Sequence, residues 1–431
     1  MLPQSCFTIM APIVTAREAE LRVLLESLNA APGVADSRNP LVPFGEFECL
    51  HFARWVIQED ATLGDLTVHG RPTPVYPKYL VFMGDCDGST DEMLAQLAQR
   101  AGAGLRAIFS HCAGFDANGD LHAWMRAHDV PAAVVYVNWV GRTVRQIREE
   151  SALQRALSAR VPRNGNAKGA AEQMRHDLQA FAKSEVAAGR LTLTPAEETP
   201  LTWQLRKWTH LIAIPLIGVI ALPVIIVLTP FALIALRERE RVDPEIHPRP
   251  DANALQELRR LEDHDVTNQF SALGSVKPGF FRKWLVSLSL LLTNYAARHV
   301  FTKGHLGRVQ TIHFARWVFI DKRARMIFAS SYDGGHEAYM DDFVNKVAFG
   351  LNLTFSHGVG WPRTDWLIKR GARNEGYFKR FQRRHQIPSQ VWYKAYPGLT
   401  LSDLARNQRI REGLERSSMS NAQAVEWLRL L

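Results

Sequence analysis

The sequence predicts an α+β protein in which one module, ordered β-α-β-β-α-β, occurs twice. Three observations lead there. The hexapeptide His51-Phe-Ala-Arg-Trp-Val56 recurs letter for letter as His313-Phe-Ala-Arg-Trp-Val318. Further landmarks keep the same order in both halves. Asp87-Gly88 answers Asp333-Gly334 and Phe109-Ser110-His111 answers Phe355-Ser356-His357, each 246 residues apart; His128-x-x-Pro131 answers His385-x-x-Pro388 at 257. The second half therefore holds about eleven extra residues, around positions 361–377. Finally, hydrophobic periodicity switches between strand and helix spacing in the same order in both copies.

In the first copy, residues 6–14 alternate like a strand and 16–28 have helical spacing. Residues 51–57 and 79–83 are β-rich runs. Residues 89–100 form a helix entered through Ser and Thr followed by acids, which suits an N-terminus by capping and dipole. Residues 105–111 read as a fourth strand. The second copy repeats this order at 269–276, 281–298, 311–320, 325–330, 336–347 and 351–357. A short helix, an apolar run (132–140 and 390–396) and a further helical stretch follow each module. The expected division is a first module at 1–157, a linker at 158–260 carrying an apolar segment, and a second module at 261–431.

That order is the ferredoxin-like one. Two such modules, each with one sheet face covered by helices and one bare, are expected to pack sheet against sheet. At fold level the arrangement resembles the dimeric α+β barrel superfamily, which includes dye-decolourising-peroxidase-like and chlorite-dismutase-like haem proteins. Residue for residue, Ile312–Val318 (IHFARWV), Tyr332-Asp-Gly334, the run FSHGVGWPRT at 355–364 and the run VWYKAYPGLT at 391–400 resemble an uncharacterised bacterial membrane-associated family with tandem modules of this kind. That resemblance spans most of both repeats and implies no established activity.

Residues 211–236 carry no charge, and Thr229 is the one polar side chain among them. At 1.5 Å per residue such a helix reaches across a hydrocarbon core of about 30 Å. Pro215, Pro223 and Pro230 interrupt it, however, and proline bends or breaks a helix. Both flanks are basic, with Arg206 and Lys207 before and Arg237, Arg239 and Arg241 after. Positive flanks hold both ends on the cytoplasmic side. The expectation is a monotopic hairpin at about 209–238, dipping into one leaflet with Trp203 and Trp208 at the interface; a single crossing is the next choice, and an apolar hairpin buried at a contact between copies of the chain is the third. A second apolar run, 284–292, is too short to span and reads as a packed helix, with membrane contact through its leucines as the alternative.

The net charge of +9 favours an acidic partner. With a membrane segment present, anionic lipid headgroups are preferred and nucleic acid is disfavoured, although the stretch 363–384 mixes basic and aromatic residues as single-strand binders do. The four cysteines, Cys6, Cys49, Cys86 and Cys112, lack CxxC spacing and read as reduced thiols. No basic-then-apolar leader precedes the first strand, so no secretory signal is expected. Both modules are placed on the cytoplasmic side.

Candidate chemistry rests on the repeated polar residues. On the HFARWV strands, Arg54 and Arg316 point away from the tryptophans. An arginine between apolar neighbours needs an acid, a carbonyl or a bound anion. An acid such as Asp87 or Asp333 is the favoured partner, with service to an anionic ligand or distal pocket and exposure on an edge strand as the alternatives. The Asp-Gly pairs read as turns with positive φ at glycine. His128 and His385 sit at helix ends, where capping is expected. His111 and His357 extend apolar stripes; on a strand, Leu351, Leu353, Phe355 and His357 would share one face, and Asn352, Thr354 and Ser356 the other. The resemblance to haem proteins implies an axial histidine, for which His357, His385 and His299 are candidates, with an arginine on the open side. Two function classes follow: a membrane-associated protein binding a ligand or partner at the cytoplasmic surface, and a haem-dependent peroxidase-like oxidoreductase acting on a lipophilic substrate. No Walker loop, HExxH, GxSxG or paired-cysteine zinc signature occurs.

Overall fold

The computed structural model describes residues 2–161, 171–302, 304, 306 and 308–431; residues 162–170 of the expected linker lie outside them. Its framework is two antiparallel four-stranded sheets. The strands are β1 (Gln4–Pro12), β2 (Leu50–Gln58), β3 (Tyr79–Asp87), β4 (Val134–Val137), β5 (Thr267–Ser275), β6 (Ile312–Ile320), β7 (Arg325–Asp333) and β8 (Val391–Lys394). The α+β class expected from the sequence holds.

The sheet orders are β1-β3-β2-β8 and β4-β6-β7-β5. Each half thus builds three strands of its own sheet and sends its last strand into the other. Val391 to Lys394 pair with Trp55 to Phe52, and Val134 to Val137 pair with Trp317 to Phe314. The two HFARWV strands are the receiving seams. Their β-branched and aromatic residues suit a strand buried on both faces, as every residue of β2 is.

Helices surround the sheets: α1 (Glu18–Glu26), α2 (Thr90–Arg100), α3 (Gly102–Phe109), α4 (Leu121–His128), α5 (Val144–Ser158), α6 (Ala171–Ala187), α7 (Leu201–Ile220), α8 (Leu222–Val242), α9 (Ala252–Leu261), α10 (Phe280–His299), α11 (His336–Phe355), α12 (Glu375–His385), α13 (Leu401–Glu415) and α14 (Asn421–Leu428). The fourth strands expected at 105–111 and 351–357 are corrected here, because both stretches are helical up to Phe109 and Phe355. Leu105, Ile108 and Phe109 are buried with i, i+3, i+4 spacing. A short apolar run fits either template, so periodicity alone misassigned it. The backbone breaks between α2 and α3 at Ala101 (φ −115°, ψ 16°), and α11 kinks at Val347 (φ −138°, ψ 23°), the corresponding position. With no strand there, the two-face sorting of 351–357 fails: Asn352, Thr354 and Ser356 are as buried as Leu351 and Phe355. The fourth-strand places go instead to β4 and β8, inside the apolar runs 132–140 and 390–396.

Two aromatic cores lie between each sheet and its helices. Trp55 stacks on Phe82 at 4.0 Å beside Phe109 in one; Trp317, Phe328 and Phe355 form the other. A third, aliphatic core of Val56, Val81, Met83, Leu273, Val318 and Ile327 joins the two sheets. A fourth knits α5, α6, α13 and α14 through Leu153, Leu178, Ile410 and Trp427.

The apolar segment is an elbow. Helices α7 and α8 meet at Ala221 with a bend of 71°. Pro223 stands in the first turn of α8, where its missing N–H costs nothing, while Pro215 and Pro230 lie inside the two helices. Among the described residues no single helix is long and apolar enough to cross a membrane; the bent pair is so by length and composition.

Candidate functional site

The alternation of β2 and β6 aims Arg54 and Arg316 across the gap between the sheets. Arg54 donates to the carbonyls of Phe270 (2.9 Å) and Ser330 (3.0 Å) and to the hydroxyls of Ser271 and Ser331. Arg316 answers from the other side, donating to the carbonyls of Phe7 and Gly84, the hydroxyl of Thr8 and the carboxylate of Asp85. Corresponding atoms are used in each copy, except that Asp85 faces Arg316 where Ser331 faces Arg54, and that Arg54 also reaches Gln269 Oε1 at 3.4 Å. Burial pulls the Arg54 pKa down to about 9, which leaves it charged at neutral pH. For Arg316, burial is the largest influence and acts downward too, but Asp85, Cys6 and Asp129 together outweigh it and the net shift is upward. Asp87 and Asp333, the expected partners, are not bonded to these arginines.

Those two aspartates serve the repeated histidines. His51 Nε2 lies 2.9 Å from Asp87 Oδ1, and His313 Nε2 lies 2.7 Å from Asp333 Oδ1. The second oxygens accept the first amide N–H of a helix, Val144 of α5 and Leu401 of α13, beside Thr143 and Thr400 capping boxes. An acid at a helix N-terminus is stabilising by dipole and hydrogen bond alike. Gly88 and Gly334 take φ of 77° and 87°, the turn role expected of them. His51 Nδ1 adds a contact of 3.1 Å to Tyr396 Oη. Asp87, His51, His313 and Tyr396 are buried and Asp333 is partly so, and the evident task of the set is to tie the strands to the helices that follow them.

His357 and His385 do come together, in the lining of one cavity of about 40 Å³ with Gly274, Val286, Met326, Phe328 and Phe381. His385 Nδ1 and the Phe381 carbonyl oxygen lie 2.8 Å apart, the capping geometry expected, and its Nε2 has no hydrogen-bond partner among the described residues. Burial lowers both pKa values, that of His357 to about 3, so both rings are neutral. The cavity arises from a difference between the copies. Gly274 and Phe381 stand where the first half has the larger Ala11 and Trp124, and a Cβ on Gly274 would sit 2.9 Å from His385 Cδ2. Such a volume holds about three or four waters, at roughly 10–15 Å³ each by this measure. Cofactor pockets measure about 300–1,000 Å³. Arg54 and Arg316 are bound between the sheets and do not line it, and His299 lies outside it, 2.8 Å from His210 of α7. These residues do not fit haem.

The elbow is tied to the second half at both roots. At the α7 root, His210 meets His299 and Tyr295 Oη donates to the Leu211 carbonyl at 3.2 Å. At the α8 root, the buried carboxylate of Glu240 accepts from Thr364 Oγ1 (2.9 Å) and from the amides of Trp366 and Leu367 (both 2.8 Å), while Arg237 pairs with Asp365 at 2.5 Å. Beyond the roots the surface is apolar and open: Ile212, Leu216, Ile217, Ile220, Val224, Ile226, Val227 and Phe231 are each more than half exposed. One side of α10 joins them through Phe280, Trp284, Leu291 and Leu292, so this helix is packed on one face and bare on the other. Basic residues edge the patch. Lys207 lies over Trp203 and Arg239 over Phe281.

The basic stretch 363–384 is largely engaged within the protein. Lys379 pairs with Asp341 and Glu375, Arg383 with Glu262 and Arg384 with Asp65. Sequence reasoning missed Glu240 and Gly274. Glu240 stood in an Arg-Glu-Arg-Glu-Arg run that reads as a solvated helix end, and Gly274 shows only when set against Ala11. No protein-family model matches this chain, and no curated protein is similar to it.

Proposed function

We propose that the chain is a monotopic membrane-surface protein: a duplicated body of two ferredoxin-like modules, paired as in dimeric α+β barrels, held against the cytoplasmic leaflet by the α7–α8 elbow and α10, where it binds a ligand or partner. One observation carries this reading. The elbow leaves many large apolar side chains open, Ile220 and Phe231 among them at 71% and 68% exposed, yet both its roots are fixed by polar bonds to the body. A helix pair bent by 71° suits a re-entrant hairpin or a broken span by geometry alone, and the basic residues on both flanks favour the hairpin. Support for the duplicated body comes from the matched strands, the reciprocal arginines and the matched Asp-His pairs. The oxidoreductase reading has no such support, since the histidine cavity is too small for haem.

Flotation with vesicles tests the proposal. The full chain is expected to rise with phosphatidylcholine–phosphatidylglycerol vesicles, and a chain lacking residues 209–238 to stay in the dense fraction with its circular dichroism retained. Flotation of the folded deletion variant to the same extent would overturn the proposal.

A further inference from the structure

The eleven extra residues of the second copy have no counterpart in the first, and they build the segment that grips α8. Its backbone is strained. Trp366, Leu367 and Arg370, none of them glycine, take φ of 57°, 62° and 56°. Such conformations are costly for residues other than glycine and persist where the surroundings impose them. Two buried side chains do so here. Glu240 holds the Trp366 and Leu367 amides from one side. Asn352 holds the other, donating to the Arg370 carbonyl at 3.0 Å and accepting from the Ala372 amide at 2.8 Å.

The outcome of this clamping is unusual for a loop. Leu367 is turned inward, while Trp366 and Ile368 on either side are left 47% and 46% exposed. They stand where α8 changes from apolar to basic, with Arg237 5.7 Å from the Trp366 ring and Lys369 and Arg370 next in the chain and exposed. Indole beside cations at an apolar boundary is the composition of a bilayer interface. With Trp208 and Trp284, which are 60% and 44% exposed, this puts one tryptophan on each of three chain segments around the elbow.

We propose that the Trp366–Ile368 loop is a second bilayer contact, seating its indole and isoleucine in the interfacial layer and locked to the elbow through Glu240 so that body and anchor keep a fixed attitude. This rests on the membrane reading above. The lipid is the occupant because the loop continues the elbow's apolar surface and adds basic groups at its rim.

The test uses the full chain carrying Ile368→Cys, labelled with an environment-sensitive nitrobenzoxadiazole dye, with the labelled wild-type chain as background for the four native cysteines. On vesicles of phosphatidylcholine and phosphatidylglycerol the emission is expected to shift to the blue, and brominated acyl chains to quench it by roughly half. The Trp366→Ala/Ile368→Ala variant, elbow intact, is expected to partition roughly tenfold more weakly. Vesicle-bound protein with unshifted, unquenched emission would overturn the loop contact and leave the elbow standing. No vesicle binding by any version would overturn both.

Discussion

Arg54 and Arg316 do the same geometric work with different chemistry, and that difference is measurable. Each crosses the gap between sheets and donates to peptide carbonyls inside the strands of the opposite sheet. Only Arg316 also neutralises a buried acid, Asp85. Arg316→Ala therefore leaves an uncompensated carboxylate and is expected to cost about 3–5 kcal/mol. Arg54→Ala leaves neutral acceptors and should cost about 1–3 kcal/mol. Urea unfolding in detergent measures both, and equal losses would mean that Asp85 contributes nothing beyond a neutral acceptor. The sequence made it plain that these arginines needed partners, since a cation between apolar strand residues must be answered. It could not say which, because about half of the answering oxygens are main-chain groups of the opposite sheet, invisible in residue types. Asp87 was the wrong choice for a local reason: it ends β3 beside the helix N-terminus that claims it.

At the scale of elements, the informative failures were helices. The runs at 105–111 and 351–357 are apolar and short, and nothing in such a run separates a buried strand from a buried helix. Their true period appears only once Ala101 and Val347 are known to break the backbone. The clamp between α8 and the 363–372 loop was hidden differently, since a glutamate among arginines signals solvent. Its burial predicts a strong effect. Glu240→Ala would leave the Trp366 and Leu367 amides and the Thr364 hydroxyl without their acceptor, and hydrogen bonds to a charged group are worth about 1.5–3 kcal/mol each. The strained residues are then expected to relax, so that trypsin cuts at Lys369 or Arg370 at least several-fold faster than in the native chain while the sheets stay folded. Unchanged cleavage would show that Asn352 alone holds the loop.

At the scale of the whole molecule, the exchange of β4 and β8 decides how the halves depend on each other. Hexapeptide identity and ordered landmarks made two similar halves legible, and the apolar runs 132–140 and 390–396 were visible as runs. Which sheet each run joins is a long-range choice, settled by the seam it meets: Trp55 and Phe52 on one side, Trp317 and Phe314 on the other. Neither half owns a complete sheet, and each carries a bare strand edge without its partner, the situation that promotes aggregation or self-pairing. Residues 1–157 and 261–431 expressed separately are therefore expected to aggregate or to form homodimers by trading their own last strands. Produced together, they should recover a soluble one-to-one complex with the mixed sheets. Deleting residues 391–394 from the second fragment should abolish that complex, because β2 then has no fourth strand and the Trp392 ring that stacks on Phe52 at 5.2 Å is gone. A stable monomer of the first fragment, with slow amide exchange along β2, would show that the exchanged strand is dispensable and that each half closes its own sheet.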